Sequence, residues 1–415
     1  MSNTEIYTYD ISAINDLPSD VSLRNIEKNT NNNYKIINYK HGQYSDEQIK
    51  EIGVFRSVII RDDKVMCFSP PKSISYENFK QENSDYSAVV AEEYIEGTMV
   101  NLFFDDKKVP QEGAEFTSDN DKWELTTKSI IGADKPFHNG GIETSFRRMF
   151  LEAMVECGLE FNHLDRSLCY SFVVQHPMNR IVKIIMKPKL YLIAAYKIEN
   201  SIVKEVRLEN SDIYKFVDIP EKYQFKTYDE AQEKYASMET YYSVVGIIFK
   251  NSKGDRTKLR NPIYEKVKHL RGNDLKLQFH YMALRQIGKI SNYLRFYPEH
   301  GEQFSKFRVD IHNYTRELHK NYFSCYIKKE KPLSEYPYEY KTNMFKLHEK
   351  YINELRPQNK NISMAVVINY VNSMHPAKLM YTINTPLHTQ KRDIINKNLN
   401  KEKKEREEYS KKIEN

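Results

Sequence analysis

A change of hydrophobic period at Pro262 constrains this chain more than any other feature. Before it, apolar residues gather in short runs. Ser57-Val58-Ile59-Ile60, Lys64-Val65-Met66-Cys67-Phe68 and Leu190-Tyr191-Leu192-Ile193-Ala194-Ala195-Tyr196 have the length and composition of strands. Asp62-Asp63 predicts a hairpin turn between the first two. After Pro262 the apolar residues recur at steps of three and four. Leu277, Tyr281, Leu284 and Ile287 form one stripe, and Phe304, Phe307, Ile311, Tyr314, Leu318 and Tyr322 a second. A third stripe, Met344, Leu347, Tyr351 and Leu355, stops at Pro357, and Ser363 predicts the cap of a helix to about Met374. Two helices interrupt the strand-rich part, at Thr144–Cys157, ended by Gly158, and at Tyr228–Met238. The pattern predicts a mixed α+β domain followed by an all-helical one.

A chain of 415 residues can bury two cores. The expected divisions are a polar lead-in over 1–50 with a loop at Asn29-Thr30-Asn31-Asn32-Asn33, the strand-rich domain over 51–270, helices over 271–384 and a charged tail over 385–415, a frayed helix or disorder. A net charge of +6 leaves attraction to polyanions to local patches. Mean hydropathy is −0.71, and no apolar run approaches the ~20 residues of a membrane span. Met1-Ser2-Asn3-Thr4-Glu5 lacks a signal pattern, and the cysteines (Cys67, Cys157, Cys169, Cys325) are scattered. Both features fit free thiols in a reducing compartment, the cytoplasm. No zinc spacing, phosphate-binding Gly-rich loop with Lys-Ser/Thr, His-Glu-x-x-His or Gly-x-Ser-x-Gly is present. Heavy use of Lys, Asn, Ile and Tyr suggests AT-rich coding DNA, as in many large DNA viruses.

One segment carries a chemical signal. A strand-like approach, Ser87 to Glu93, meets the turn Tyr94-Ile95-Glu96-Gly97-Thr98, and an alternating strand, Met99 to Phe104, leaves it. This arrangement resembles the nucleotide-attachment motif, Lys-x-Asp/Glu-Gly, of ATP-dependent RNA ligases of the phage tRNA-repair type. Tyr94 stands at the lysine position. A phenol, with a pKa near ~10, carries no positive charge when protonated and does not mimic an activated amine. Other segments resemble the family in the same order. Arg56 opens an upstream strand, and Lys72 sits in a Pro-Pro segment ending at Phe79. Lys128 closes the strand Trp123-Glu124-Leu125-Thr126-Thr127. Tyr170 to Val182 is similar to the next motif, with an apolar residue near Phe172 or Val173 where a glutamate is expected, and Val245 replaces the glutamate of the motif after that. Lys258 and Arg260, two residues apart, share a strand face, and two cations on one face favour an anion.

The resemblance implies an antiparallel-sheet nucleotidyltransferase domain. Tyr94 occupies the nucleophile position, and Arg56, Lys72, Glu96, Gly97, Lys128, Lys258 and Arg260 are the nucleotide- and phosphate-binding candidates. Phosphate-holding cations persist while the amine and both carboxylates are gone, the pattern of a binding site derived from an enzyme. The first reading is a pseudoenzyme that binds nucleotide, RNA 5′ ends or cap-like phosphates without forming a lysyl-nucleotide. Two alternatives stay open: an active ATP-dependent RNA ligase using Lys72 as a displaced lysine, and a viral structural or scaffold protein. ATP or another nucleotide is the implied ligand, RNA the implied partner, and the host cytoplasm or a virus factory the implied location. Magnesium is left open, because a hard cation needs oxygen ligands that the valines do not supply. Lys and Arg among Tyr and Phe from Arg285 to Lys329 suit RNA, and they suit the charged face of an amphipathic bundle equally.

Overall fold

The computed structural model describes residues 4–25, 32–110, 118–134, 136–139, 142–208, 211–272, 276–387, 389–390 and 392. Nearly all of the expected charged tail, and Asn29 to Asn31 of the expected loop, lie outside them. The chain divides into two compact units, Met1–Arg271 and Gly272–Asn415.

The first unit carries the strands. In chain order they begin β1 (Thr4–Asp10), β2 (Val21–Asn25), β3 (Lys35–Tyr39), β4 (Arg56–Arg61), β5 (Lys64–Cys67) and β6 (Val90–Glu93). They continue with β7 (Thr98–Phe104), β8 (Trp123–Thr126), β9 (Pro136–Asn139), β10 (Ile142–Ser145) and β11 (Leu168–Gln175). The last are β12 (Lys189–Glu199), β13 (Ile202–Arg207), β14 (Lys222–Tyr223), β15 (Gly246–Lys250) and β16 (Arg256–Arg260). Helices α1 (Asp46–Ile52), α2 (Tyr76–Glu82), α3 (Phe146–Cys157), α4 (Tyr228–Tyr235) and α5 (Pro262–Arg271) lie between and after them.

The strand pairings are antiparallel throughout, in a six-stranded sheet of order β1-β13-β12-β11-β7-β8, two four-stranded sheets, β2-β3-β4-β5 and β14-β6-β15-β16, and the hairpin β9-β10. Every residue of β11 is buried, as a strand covered on both faces requires. Its Tyr170, Phe172 and Val174 pack with α3, and its Cys169 packs with the β2–β5 sheet. Asp62 and Asp63 take φ of +49° and +60°, making the tight turn the sequence predicts between β4 and β5. Ser145 and Gly158 bracket α3, which begins two residues after the expected start at Thr144.

The lead-in expected through residue 50 is not an appendage. β1 pairs with β13, β2 with β3, and α1 sends Ile49 and Ile52 inward. Its isolated apolar residues (Tyr9, Ile11, Val21, Tyr34, Ile36, Ile37) each fill a core position, so the count of apolar residues understates their burial.

The second unit is helical. Its elements are α6 (Leu277–Gln286), α7 (Ile290–Phe296), α8 (Gly301–Tyr322), α9 (Tyr338–Lys350), α10 (Met364–Ser373) and a helix over 376–387. The predicted α8 stripe buries Phe304, Ile311, Tyr314, Leu318 and Tyr322. Ser363 Oγ caps α10 by accepting the Val366 amide. Ile287 departs from its predicted stripe: α6 ends at Gln286, and Ile287 is 62% exposed.

Asp105, with no exposed surface, accepts from the Arg61 guanidinium and the Tyr34 hydroxyl. Asp105→Ala would leave Arg61 buried with only the exposed Asp62 nearby. Urea unfolding of that variant is expected to show a loss of about 3 kcal/mol.

Candidate functional site

Strand register builds the site. Glu92, Ile248 and Lys258 stand side by side across β6, β15 and β16, and Val90, Lys250 and Arg256 form the adjacent row. Alternation sends Ala91, Ile247, Phe249 and Leu259 to an aromatic core shared with α2 and α4. Glu92, Ile248, Lys250, Arg256 and Lys258 are left on the other face, where β7, β11 and β12 supply Thr98, Met99, Val173 and Ile193. Between them lies a cleft of about 380 Å³, also walled by Arg56, Tyr94 and Thr127-Lys128-Ser129.

The cleft has an apolar side and a cationic side. Ile95, Val173 and Tyr191 pack with Met99 and Ile193. Arg56, Arg256 and Lys258 crowd one another closely enough that each charge opposes its neighbours. Arg256 is 5% exposed, and its Nε has no hydrogen-bond partner among the described residues. Arg56 donates from Nη1 to the Pro70 carbonyl at 3.2 Å. Among the described residues neither arginine, nor Lys128 or Lys258, forms a salt bridge with a carboxylate, although the Arg256 charge reaches the buried Glu205 carboxyl and favours its ionised form. The Lys258 Nζ lies 5.2 Å from the centre of the Tyr94 ring. Burial, reinforced by the charges of Arg256, Arg56, Arg260 and Lys268, pushes its amine down to about 6. The aromatic face would favour a cation there, but desolvation and like charge outweigh it.

The cleft floor is compensated. Lys250 pairs with Glu92 at 2.9 Å and approaches Glu205 at 3.9 Å, while Glu205 accepts from the Tyr9 hydroxyl at 3.3 Å. Burial pushes the Glu205 and Glu93 carboxyls up. Among the described residues no group of three or more His, Cys, Asp or Glu is placed to hold a metal. With Glu92 committed to Lys250 and valines where glutamates were expected, the donor set does not fit a protein-held magnesium.

Five of the eight sequence candidates line the cleft: Arg56, Tyr94, Gly97, Lys128 and Lys258. The Lys128 carbonyl accepts from Ser57 Oγ at 2.5 Å and Asn38 Nδ2 at 3.1 Å, which fixes its loop against β3 and β4. Lys72 is not in the lining. Its Nζ sits 4.8 and 4.9 Å from the Tyr39 and Tyr44 rings, and it meets Lys128 only across Tyr39. Arg260 shares the Lys258 face by register, but it stands at the strand end, where Glu265 of α5 takes it at 3.1 Å.

Glu96 is buried and faces away from the cleft. Its carboxylate accepts the amides of Val182 at 3.0 Å and Lys183 at 3.1 Å and the Tyr264 hydroxyl, clamping the segment after β11 to α5. Gly97, at φ +148°, makes room for β11: a Cβ would lie 2.5 Å from the Val174 carbonyl. Gly246 does the same beside β16, where a Cβ would come within 2.0 Å of the Leu259 carbonyl. Val173 is the cleft-facing residue of the degraded motif, whereas Phe172 and Val245 are buried outside the lining.

Sequence reading missed Arg256, Lys250, Glu92 and Glu93. Extending the alternation two residues back from Lys258 would have found Arg256.

No protein-family model matches the chain, and no curated protein does. Among solved structures it is similar to a chain described as an ATP-dependent DNA ligase from Aquifex aeolicus, at 13% identity and a TM-score of 0.34, covering 75% of this chain and 79% of that one. It is also similar to two mutants of an RNA ligase from Naegleria gruberi. One, without ligand, shares 14% identity at a TM-score of 0.33, covering 56% of this chain and 65% of that one. The other, with ATP and Mn, shares 12% identity at a TM-score of 0.33, covering 64% and 85%. Likeness of this extent assigns neither an activity nor a ligand to this chain.

The unfolded chain holds a proton on Lys258 up to its ordinary value near 10.5, and the folded chain releases it above about 6. Between those values unfolding takes up protons, so this residue penalises the fold most at low pH. Lys258→Met is expected to raise the melting temperature most near pH 6, with a gain that shrinks toward pH 9. Gly97→Ala is expected to cost about 2 kcal/mol in urea unfolding at either pH.

Proposed function

We propose that the cleft binds a nucleoside phosphate, ATP first, and the phosphorylated 5′ end of RNA, with Tyr94 as a wall and not as a nucleotide acceptor. One observation carries this reading: Arg56, Arg256 and Lys258 converge on one recess, and among the described residues none of the three forms a salt bridge, with Glu92 of the same lining held by Lys250. Removing cations from water and setting them side by side is costly, and an anion between them offsets that cost. Arginines match phosphate oxygens with paired donors, and lysine adds a point charge. The apolar side beside Met99, Val173 and Ile193 suits a flat base, which free phosphate lacks. The sequence resemblance supports RNA as the macromolecule that presents the phosphate.

Titration calorimetry tests this with ATP, and with one oligoribonucleotide carrying either a 5′-phosphate or a 5′-hydroxyl. ATP and the phosphorylated strand are expected to bind, with affinity falling steeply as salt rises. Arg256→Gln is expected to weaken both by about tenfold, the loss of one charge-assisted hydrogen bond. Equal affinity for the 5′-hydroxyl strand, or binding indifferent to Arg256, contradicts the reading.

Proton linkage is a separate test. At pH 7 the empty cleft holds a neutral Lys258, and an anion draws a proton onto it. Affinity for ATP is therefore expected to rise as pH falls from 8.5 to 6.5. Proton uptake should appear as a dependence of the observed heat on buffer, absent in Lys258→Met.

A further inference from the structure

We propose that the cleft takes its nucleoside di- or triphosphate without a metal ion, with the side chains of Arg56, Lys128, Arg256 and Lys258 in the place a magnesium ion would fill. The inference rests on the reading above, that the cleft binds nucleoside phosphates, and concerns the form of the ligand it accepts.

A divalent ion does two jobs beside a polyphosphate. It cancels charge, and it bridges oxygens of neighbouring phosphates so that they hold one geometry. A protein holds such an ion through one or two carboxylates, whose oxygens join those of the phosphates around it. The carboxyls of the lining are not placed for this. Glu92 is bound to Lys250 at 2.9 Å, and Glu205 below it lies 3.9 Å from Lys250 and 3.3 Å from the Tyr9 hydroxyl. Glu93 belongs to the apolar side. Its charge is felt by the Tyr191 hydroxyl, whose ring packs with Ile95 and Val173, and the charges that act on it are those of Lys183, Glu221 and Asp218. Val173 stands in the lining near the place where a glutamate was expected.

The cations are placed for both jobs. Arg56 comes from β4, Lys128 from the loop after β8, and Arg256 and Lys258 from β16, so charge reaches the recess from three elements. Asn38 Nδ2 and Ser57 Oγ both donate to the Lys128 carbonyl, which fixes that loop to the strands beside Arg56. Arg56 gives one N–H to the Pro70 carbonyl, and the Arg256 Nε has no partner among the described residues. A guanidinium carries its donors in one plane and can bridge two phosphate oxygens, with a geometry the fold has already set. It offers no acceptor to the water shell that magnesium keeps. A magnesium ion carried in on the ligand would meet like charge on this wall, and it would cancel about half of the ligand charge that the wall attracts.

The test is titration calorimetry of ATP into the full chain at one pH and one ionic strength. One buffer is stripped of divalent ions by a chelating resin, and the other holds magnesium chloride in excess over ATP. Binding in the stripped buffer is expected to be tighter by about tenfold, the worth of one close charge contact. Arg56→Gln and Lys128→Met each remove one cation, and each is expected to bring the two affinities closer together. Equal affinity in the two buffers, or tighter binding with magnesium, overturns this inference and leaves the binding reading intact. A preference for metal-free ATP that neither variant narrows overturns it as well, because these cations would not be its source. Absence of binding in both buffers overturns both readings.

Discussion

Like charge crowded on one wall of a recess is the constraint on which the site depends. β16 pairs with β15 in a register that places Arg256 and Lys258 on one face, and β4 brings Arg56 against them. The same alternation buries Thr257 and Leu259 on the other face. Sliding β16 by one residue would relieve the cations but expose that core, so the packing enforces the electrostatic cost. The fold could have answered it with a carboxylate, and does so one layer down, where Glu92 and Glu205 flank Lys250. The rest of the lining is largely apolar, with Val173, Met99 and Ile193, and carries one further carboxyl, that of Glu93.

The turn at Tyr94 to Thr98 is held by the fold itself. Glu96 and Gly97 were expected to serve a nucleotide. Glu96 instead clamps Val182, Lys183 and Tyr264, and Gly97 admits the β11 backbone. Both residues are required by the fold whether or not any ligand is present. Position 94 carries no such duty: its amide reaches the Gly246 carbonyl at 3.3 Å, a bond any residue but proline can make.

Much of the architecture was legible because it rests on period. The strands at Arg56–Arg61, Lys64–Cys67 and Lys189–Glu199, the hairpin turn at Asp62-Asp63 and the α8 stripe all follow from local alternation or helical spacing. The first fifty residues read as a polar lead-in because their apolar residues are few, and the pairing of β1 with the distant β13 leaves no local trace. At the cleft, the candidates Arg56 and Lys258 both stand on strands and lie in the lining. Lys72 and Arg260 lie outside that lining, held by contacts that no spacing encodes, a tyrosine pair for one and the first turn of α5 for the other. Arg256 was passed over although it obeys the same alternation as Lys258.

Everything in this account follows from cations that crowd one another until an anion arrives, and a ligand that binds only the folded state stabilises it by mass action. The most direct measurement is the melting temperature of the full chain in pyrophosphate against equal ionic strength of sodium chloride. The account predicts a rise that saturates with pyrophosphate, absent in chloride and much reduced in Arg256→Gln. A melting temperature that depends only on ionic strength, or a rise that survives in Arg256→Gln, would show that these charges are not waiting for phosphate.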